Sequence, residues 1–347
     1  MDCVSDSEVF QMSVDTSRLA LEWQVWLVEN LALGVTREEA CLALASAGVS
    51  EEVAREEVAR VEAHPFFQAC QRVGRRYGWL ESVMDTYSAL HRQSGGHLAL
   101  ERRHELSAEE FFTRYYFGHR PVVLTGRMKD WPALGRWSLS YLAERVGDVQ
   151  VEVMTRRESN PDHAPEPDKH RETMRFADYV HRVATGGETN DYYMVPRNEN
   201  WQREGFESLR EDVRAPQGII DDSLRPDMMT LLLGPAGTVT PLHHDNMNVL
   251  LAQVMGRKHV KLIPSFQRHL MYPRYGTFSH VDAERPDVER HPLYAEAHMV
   301  EAVLEPGELV FIPVGWWHWV RALDVSASVT FHHFQVPQGN TFLPTPL

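Results

Sequence analysis

TVTPLHHDNMNVLLAQVMGRK, residues 238–258, decides how the rest of the chain is read. It opens on Thr240-Pro241 and then presents His243 and Asp245 as a His-x-Asp pair. On an extended strand, side chains at i and i+2 share a face, so these two can meet one ion while His244 points away. Lys258 follows fifteen residues after His243, past Gly256-Arg257 and within an apolar run. A lysine directed into apolar surroundings requires an anion. Sixty residues beyond Lys258, the apolar run LVFIP (309–313) leads into GWWHWV (315–320), where a turn could bring His318 alongside the pair.

A lone His-x-Asp is a weak signal, and the strength lies in the combination. Two neutral imidazoles and one carboxylate with open coordination positions form the facial set that suits non-haem Fe(II). Three further octahedral positions would be left for a co-substrate and O2. A dicarboxylate chelating such an ion at one end would place its other carboxylate at Lys258, where the Thr240 hydroxyl could also donate. Trp316, Trp317 and Trp319 read as packing around the metal strand, and His259, next to Lys258, as outward-facing.

On either side of this stretch, short apolar runs alternate with Gly/Pro turns. PVVLTG (121–126), MMTLLLG (228–234) and HVKLIPS (259–265) read as strands. Three more are expected within 299–334, with EPGE (305–308) joining the first two. Such a pattern from about residue 118 onward predicts an antiparallel double sheet or barrel. Met174–Val183 reads as a helix and Tyr192–Val195 as a short strand. TRRESNPDHAPEPDKH (155–170) reads as a polar surface loop able to act as a lid.

The first 95 residues differ in character. Apolar residues recur at helical spacing from Leu19 to Leu31, and Gly34 ends that helix. Thr36-Arg-Glu-Glu39 is a capping box, and Ser50-Glu-Glu52 opens a third helix. A fourth runs from about Phe66 into the 80s. Gly95-Gly96 marks the expected boundary between an N-terminal all-helical region (1–95) and a catalytic domain (96–347). The helices are expected either to cap the catalytic domain or pair with a second copy, or to recognise a peptide or carrier.

Of 347 residues, 43% are hydrophobic and 24% charged, enough apolar material for a sizeable core. The net charge of −14 disfavours a nucleic-acid partner, because affinity for phosphate rests on Lys and Arg. It suits a small molecule or a neutral to basic polypeptide. Three cysteines without Cys-x-x-Cys spacing favour neither a disulfide framework nor a zinc ribbon. With no signal-peptide pattern and no apolar run of membrane-spanning length, a cytoplasmic protein without a membrane partner is expected.

The motif set TPLHHD…AQVMGRK followed by PGE…FIP…WWHWVRALD…SVTF strongly resembles the Jumonji C (JmjC) family of Fe(II)- and 2-oxoglutarate-dependent oxygenases, over roughly residues 100–336. It is most similar to the small hydroxylases, the group that includes factor inhibiting HIF. The resemblance implies a double-stranded β-helix (cupin or jelly-roll) core. It implies His243, Asp245 and His318 as iron ligands. Lys258 is implied as the partner of the distal carboxylate of 2-oxoglutarate, with Thr240 as hydroxyl donor and a tyrosine, Tyr193 or Tyr192, beside it. Many members carry an asparagine six residues after the first histidine; here Val249 stands there, and Asn248 is the nearby candidate. The resemblance implies O2-dependent hydroxylation of an amino-acid side chain in a peptide or protein, which becomes demethylation where the carbon is an N-methyl group. A free small-molecule substrate and a non-catalytic binding or sensing module are the alternatives. A homodimer through the N-terminal helices is also implied, since family members often pair through helices.

Overall fold

The Gly/Pro-punctuated strands close into two facing six-stranded sheets. A computed structural model of the chain describes residues 19–32, 34–96, 98–160, 163–274, 277–336, 339–340 and 342. In chain order the strands are β1 (Arg102–His104), β2 (Val122–Thr125), β3 (Gln150–Met154), β4 (Arg171–Arg175), β5 (Met229–Gly234), β6 (Val239–His244), β7 (Val249–Met255), β8 (Lys258–Ile263), β9 (Pro273–Arg274), β10 (Phe278–Ser279), β11 (Val300–Leu304), β12 (Leu309–Ile312), β13 (Trp317–Ala322) and β14 (Ser326–Phe331). One sheet has the order β1-β2-β12-β7-β14-β5 and the other β11-β8-β13-β6-β10-β9. From β5 to β8, and again from β11 to β14, successive strands alternate between the sheets. That winding is the double-stranded β-helix expected of the sequence.

The lumen between the sheets is filled from both walls. Val249, Leu251, Val310 and Ile312 of the first sheet pack against Val260, Leu262, Leu304 and Val320 of the second. Behind the first sheet, Leu142, Val146, Phe176, Tyr179 and Val183 cover its outer face with helices Leu139–Val146 and Phe176–Thr185. Behind the second lie Leu242, Ile263, Trp317 and Trp319. The pairs His318/Val320 and Trp317/Trp319 therefore divide by face, as strand alternation demands.

Two local expectations are corrected. The 299–334 region holds four strands, not three, because WWHWVRA and SASVTF each pair independently with neighbours. The helix expected at Met174 starts at Phe176, and residues 171–175 pair antiparallel with β3 instead. Ladder hydrogen bonds to β3 outweigh the local helical pattern there.

Asp212 fastens the helical side of the first sheet. Its carboxylate accepts from Arg136 Nη1 (2.7 Å), Trp137 Nε1 (3.2 Å) and the Tyr141 hydroxyl (2.7 Å), and its side chain is fully buried. Asp212→Ala leaves the Trp137 and Tyr141 donors without an acceptor. It is expected to lower the unfolding free energy by about 3 kcal/mol in urea denaturation. A change below about 1 kcal/mol would contradict that role.

The chain divides into two compact units, Met1–Met84 and Asp85–Leu347. The first contains helices α1 (Leu21–Ala32), α2 (Arg37–Ser46), α3 (Glu51–Ala63) and most of α4 (Pro65–Gln93). Leu27, Leu31, Ala40, Leu44, Ala54, Val58 and Phe67 form its core. The capping box forms as read: Glu39 N donates to Thr36 Oγ1 (3.2 Å), and Thr36 N donates to Glu39 Oε2 (2.9 Å). No described helix is long and apolar enough to cross a membrane.

Candidate active site

A one-residue irregularity in β6 builds the site. Register runs His244↔Trp317 and His243↔His318, then Thr240↔Val320 and Val239↔Arg321. Two residues of β6, Pro241 and Leu242, thus face the single Trp319. A β-bulge of this kind reverses the parity of the strand beyond it. Val320 faces the lumen, so its partner Thr240 does too. His318, two residues before Val320, shares that wall, and so does its partner His243. In a regular ladder with both residues kept, Thr240 and His243 would sit on opposite faces. A proline fits here because it has no N–H to give a ladder.

His243, Asp245 and His318 each offer one ligand atom, all within 4.8 Å of one another. His243 Nε2 lies 3.8 Å from Asp245 Oδ1, and His318 Nε2 lies 3.6 Å from Asp245 Oδ2. The far ring nitrogens are occupied by backbone: His243 Nδ1 is 2.9 Å from the Pro241 carbonyl, and His318 Nδ1 is 3.0 Å from the Trp316 carbonyl. A carbonyl only accepts, so both Nδ1 atoms carry the proton and both Nε2 lone pairs face the carboxylate. Neutral nitrogen donors plus one carboxylate match the donor set that Fe(II) requires.

The electrostatics of the site favour an unprotonated His318 and an ionised Asp245. Burial, with neighbouring His243 adding to it, pushes the His318 pKa down to about 4. For Asp245, burial acts upward, but His243, His318 and His332 together hold it below the ordinary carboxylate range. A histidine in the unfolded chain titrates near ~6.5, so between that value and about 4 the unfolded state binds the extra proton. The metal-free chain is therefore expected to lose stability as pH falls through that window, by up to a few kcal/mol. Urea midpoints at about pH 7 and about pH 5 test this, and identical midpoints would contradict it.

Further along the same wall, Lys258 opens β8 and shares its inward face with Val260 and Leu262. It is 1% exposed. Its Nζ donates to the Tyr193 hydroxyl at 3.1 Å, and among the described residues no acidic side chain pairs with it. Tyr193 is held by a bridge to Met154, while the Tyr192 hydroxyl turns away to the Arg182 carbonyl. Of the two tyrosines, the structure brings Tyr193 to Lys258.

Asn248 is not brought there. Its Oδ1 accepts from Val314 N (2.8 Å) and its Nδ2 donates to Asn340 Oδ1 (3.0 Å), closing a buried polar clamp between loops. Val249, the first residue of β7, takes the lumen side. His244 turns outward, 2.9 Å from Arg268 Nη1 and edge-on to Trp317. His259 meets Glu301 Oε2 at 2.8 Å on the outer surface.

In the sequence, His332 and His333 read as the end of the last strand and as two candidates to face the barrel, and His332 is placed where Asp245 acts on its charge. Sequence reading missed one residue. Arg157, expected in a surface loop, is 3% exposed. Arg156 adopts a left-handed φ of 55° and stays exposed, while Arg157 is buried, two residues on from buried Thr155. Nothing in TRRESN distinguishes the two arginines. The loop is also anchored by His170 Nδ1, 2.9 Å from the Thr155 carbonyl.

Comparison with known proteins places this geometry in context. A family model described as a cupin-like domain matches residues 108–339. The chain is 33% identical over 248 residues to lysine-specific demethylase 8 of Xenopus tropicalis, covering 67% of this chain and 52% of that protein. It is 34% identical over 239 residues to lysine-specific demethylase JMJ30 of Arabidopsis thaliana, covering 67% and 54%. Over 246 residues it is 28% identical to tRNA wybutosine-synthesizing protein 5 of Danio rerio, covering 67% and 74%. The chain spans about half the length of the two demethylases.

Proposed function

The chain belongs to the cupin-like, JmjC-type family, and on that premise we propose that it is an Fe(II)- and 2-oxoglutarate-dependent dioxygenase. One observation carries this reading. A single barrel wall presents two histidines and a carboxylate converging at one place, and at another a buried lysine that no acidic side chain among the described residues pairs with. His243, Asp245 and His318 would hold the iron. Lys258, Tyr193 and Thr240 would hold the distal carboxylate of 2-oxoglutarate. Together with O2, the bound pair supplies an oxidant that places one oxygen on a substrate C–H bond, while 2-oxoglutarate leaves as succinate and CO2.

The protein's own part is binding and orientation. Pro241 and Trp316 carbonyls fix the two imidazole rings through Nδ1 and aim their Nε2 atoms at the Asp245 carboxylate. Val260, two residues on from Lys258 on the same face of β8, and its partner Val320 give the lysine apolar surroundings, which strengthens its attraction for a carboxylate.

The substrate we propose is an amino-acid side chain within a peptide or protein, which the net charge of −14 suits better than nucleic acid. The names of the two demethylase relatives favour a second outcome, in which the oxidised carbon is an N-methyl group and is lost. Iron-loaded protein incubated with 2-oxoglutarate is expected to release succinate, and the His243→Ala variant is not. Iron binding without turnover over a peptide library and free amino acids would instead identify a binding module. Mass spectrometry of the peptides separates a gain of one oxygen from a loss of one methylene.

A further inference from the structure

Lys258 is not the only buried cation at Tyr193. The Arg157 guanidinium carbon lies 5.2 Å from the Tyr193 ring centroid, and Lys258 Nζ lies 5.7 Å from the same centroid. Arg157 Nη2 donates to the Val239 carbonyl at 2.6 Å and contacts His163 Nε2 at 3.1 Å. Val239 is the residue before Thr240 on the metal strand. Nη1 of Arg157 is buried with no hydrogen-bond partner among the described residues. No acidic side chain among the described residues forms an ion pair with Arg157.

A purely structural arginine would tie the 155–170 loop to β6, and the Val239 and His163 contacts do that. They do not account for the rest of the group. Two buried positive charges around one ring repel each other and lose hydration, which is unfavourable unless an anion joins them. The free Nη1 is a donor awaiting an acceptor, since buried donors are ordinarily paired.

We propose that Arg157 is the second cation of the carboxylate site at Lys258, so that the distal carboxylate of the co-substrate sits in the field of two buried positive charges. This rests on the dioxygenase reading above and adds to it a selectivity device. Arg157 fixes the tyrosine face, backs the lysine, and makes the site strongly favour a five-carbon 2-oxo acid with a far carboxylate over one without. The residue reaches the site through its contacts with Val239, His163 and the Tyr193 ring.

The test compares two ligands with the same chelating head, 2-oxoglutarate and 2-oxopentanoate. Binding to Mn(II)-loaded full-length protein is measured by calorimetry for wild type, Arg157→Met and Arg157→Lys. The methionine variant is expected to weaken 2-oxoglutarate roughly 10- to 100-fold and leave 2-oxopentanoate unchanged. The lysine variant, which keeps the charge but lacks the planar fork, is expected to recover part of the loss. Unchanged 2-oxoglutarate affinity in Arg157→Met overturns the proposal. An equal loss for both ligands also overturns it, since that is what a merely structural arginine produces. A wild-type chain that binds neither ligand overturns the dioxygenase reading and this proposal with it, an outcome distinct from the other two.

Discussion

Asp245→Ala is expected to abolish metal-dependent succinate release, with a loss of roughly 1,000-fold or more. Asp245 is the only anionic ligand of the three, and its two oxygens face the two imidazoles. Removing it leaves two neutral nitrogens to hold a dication. A bound metal contributes several kcal/mol of stabilisation to developing charge, and about 4 kcal/mol corresponds to that factor. A second readout does not depend on activity. Ligand at a hundredfold excess over its dissociation constant stabilises a fold by about 2.7 kcal/mol. Wild type should therefore show an iron- or manganese-dependent rise in Tm, and Asp245→Ala should show none. A variant that still gains stability from metal would remove Asp245 from the proposed ligand set.

Lys258→Met is expected to separate stability from ligand binding in opposite directions. In the ligand-free chain, an apolar side chain of similar length replaces a buried ammonium that has no anionic partner among the described residues. Such replacements are neutral or stabilising by about 1–4 kcal/mol. In the presence of 2-oxoglutarate the same change removes the charge that offsets the far carboxylate. Affinity should fall at least roughly 100-fold, about 3 kcal/mol. Denaturation without ligand and calorimetry with it check the two halves. A variant that loses stability without ligand would mean that Lys258 serves the fold rather than the co-substrate.

The parts of the site that were legible in the sequence share a physical cause. His243, Asp245, Lys258 and His318 lie on strands or immediately after one, where spacing in the chain maps onto direction in space. The barrel was legible for the same reason, since its apolar runs are bounded by glycine and proline. What escaped depends on long-range pairing. Met174 and Arg175 read as the start of a helix in the sequence and join a strand because β3 is there to receive them. Asn248 has the chemistry to meet a co-substrate but is drawn into a clamp by Asn340, ninety-two residues away. Arg157 looks like its exposed neighbour in the sequence and is buried by partners from other segments, Val239 and the Tyr193 ring.

The bulge at Pro241–Leu242 gives β6 something like a reading frame. Between Thr240 and His243 the count is odd, and it serves the lumen only because one residue is skipped by the opposite strand. Straightening the ladder with both residues kept would put the co-substrate hydroxyl and the metal imidazole out of phase, with every side chain intact, whereas deleting one of the two would leave them two apart and on one face. A substitution at Leu242 leaves that phase alone. The two halves of the site are thus joined by a count as well as by chemistry, and Pro241, which cannot re-enter the ladder, is what keeps the count from slipping.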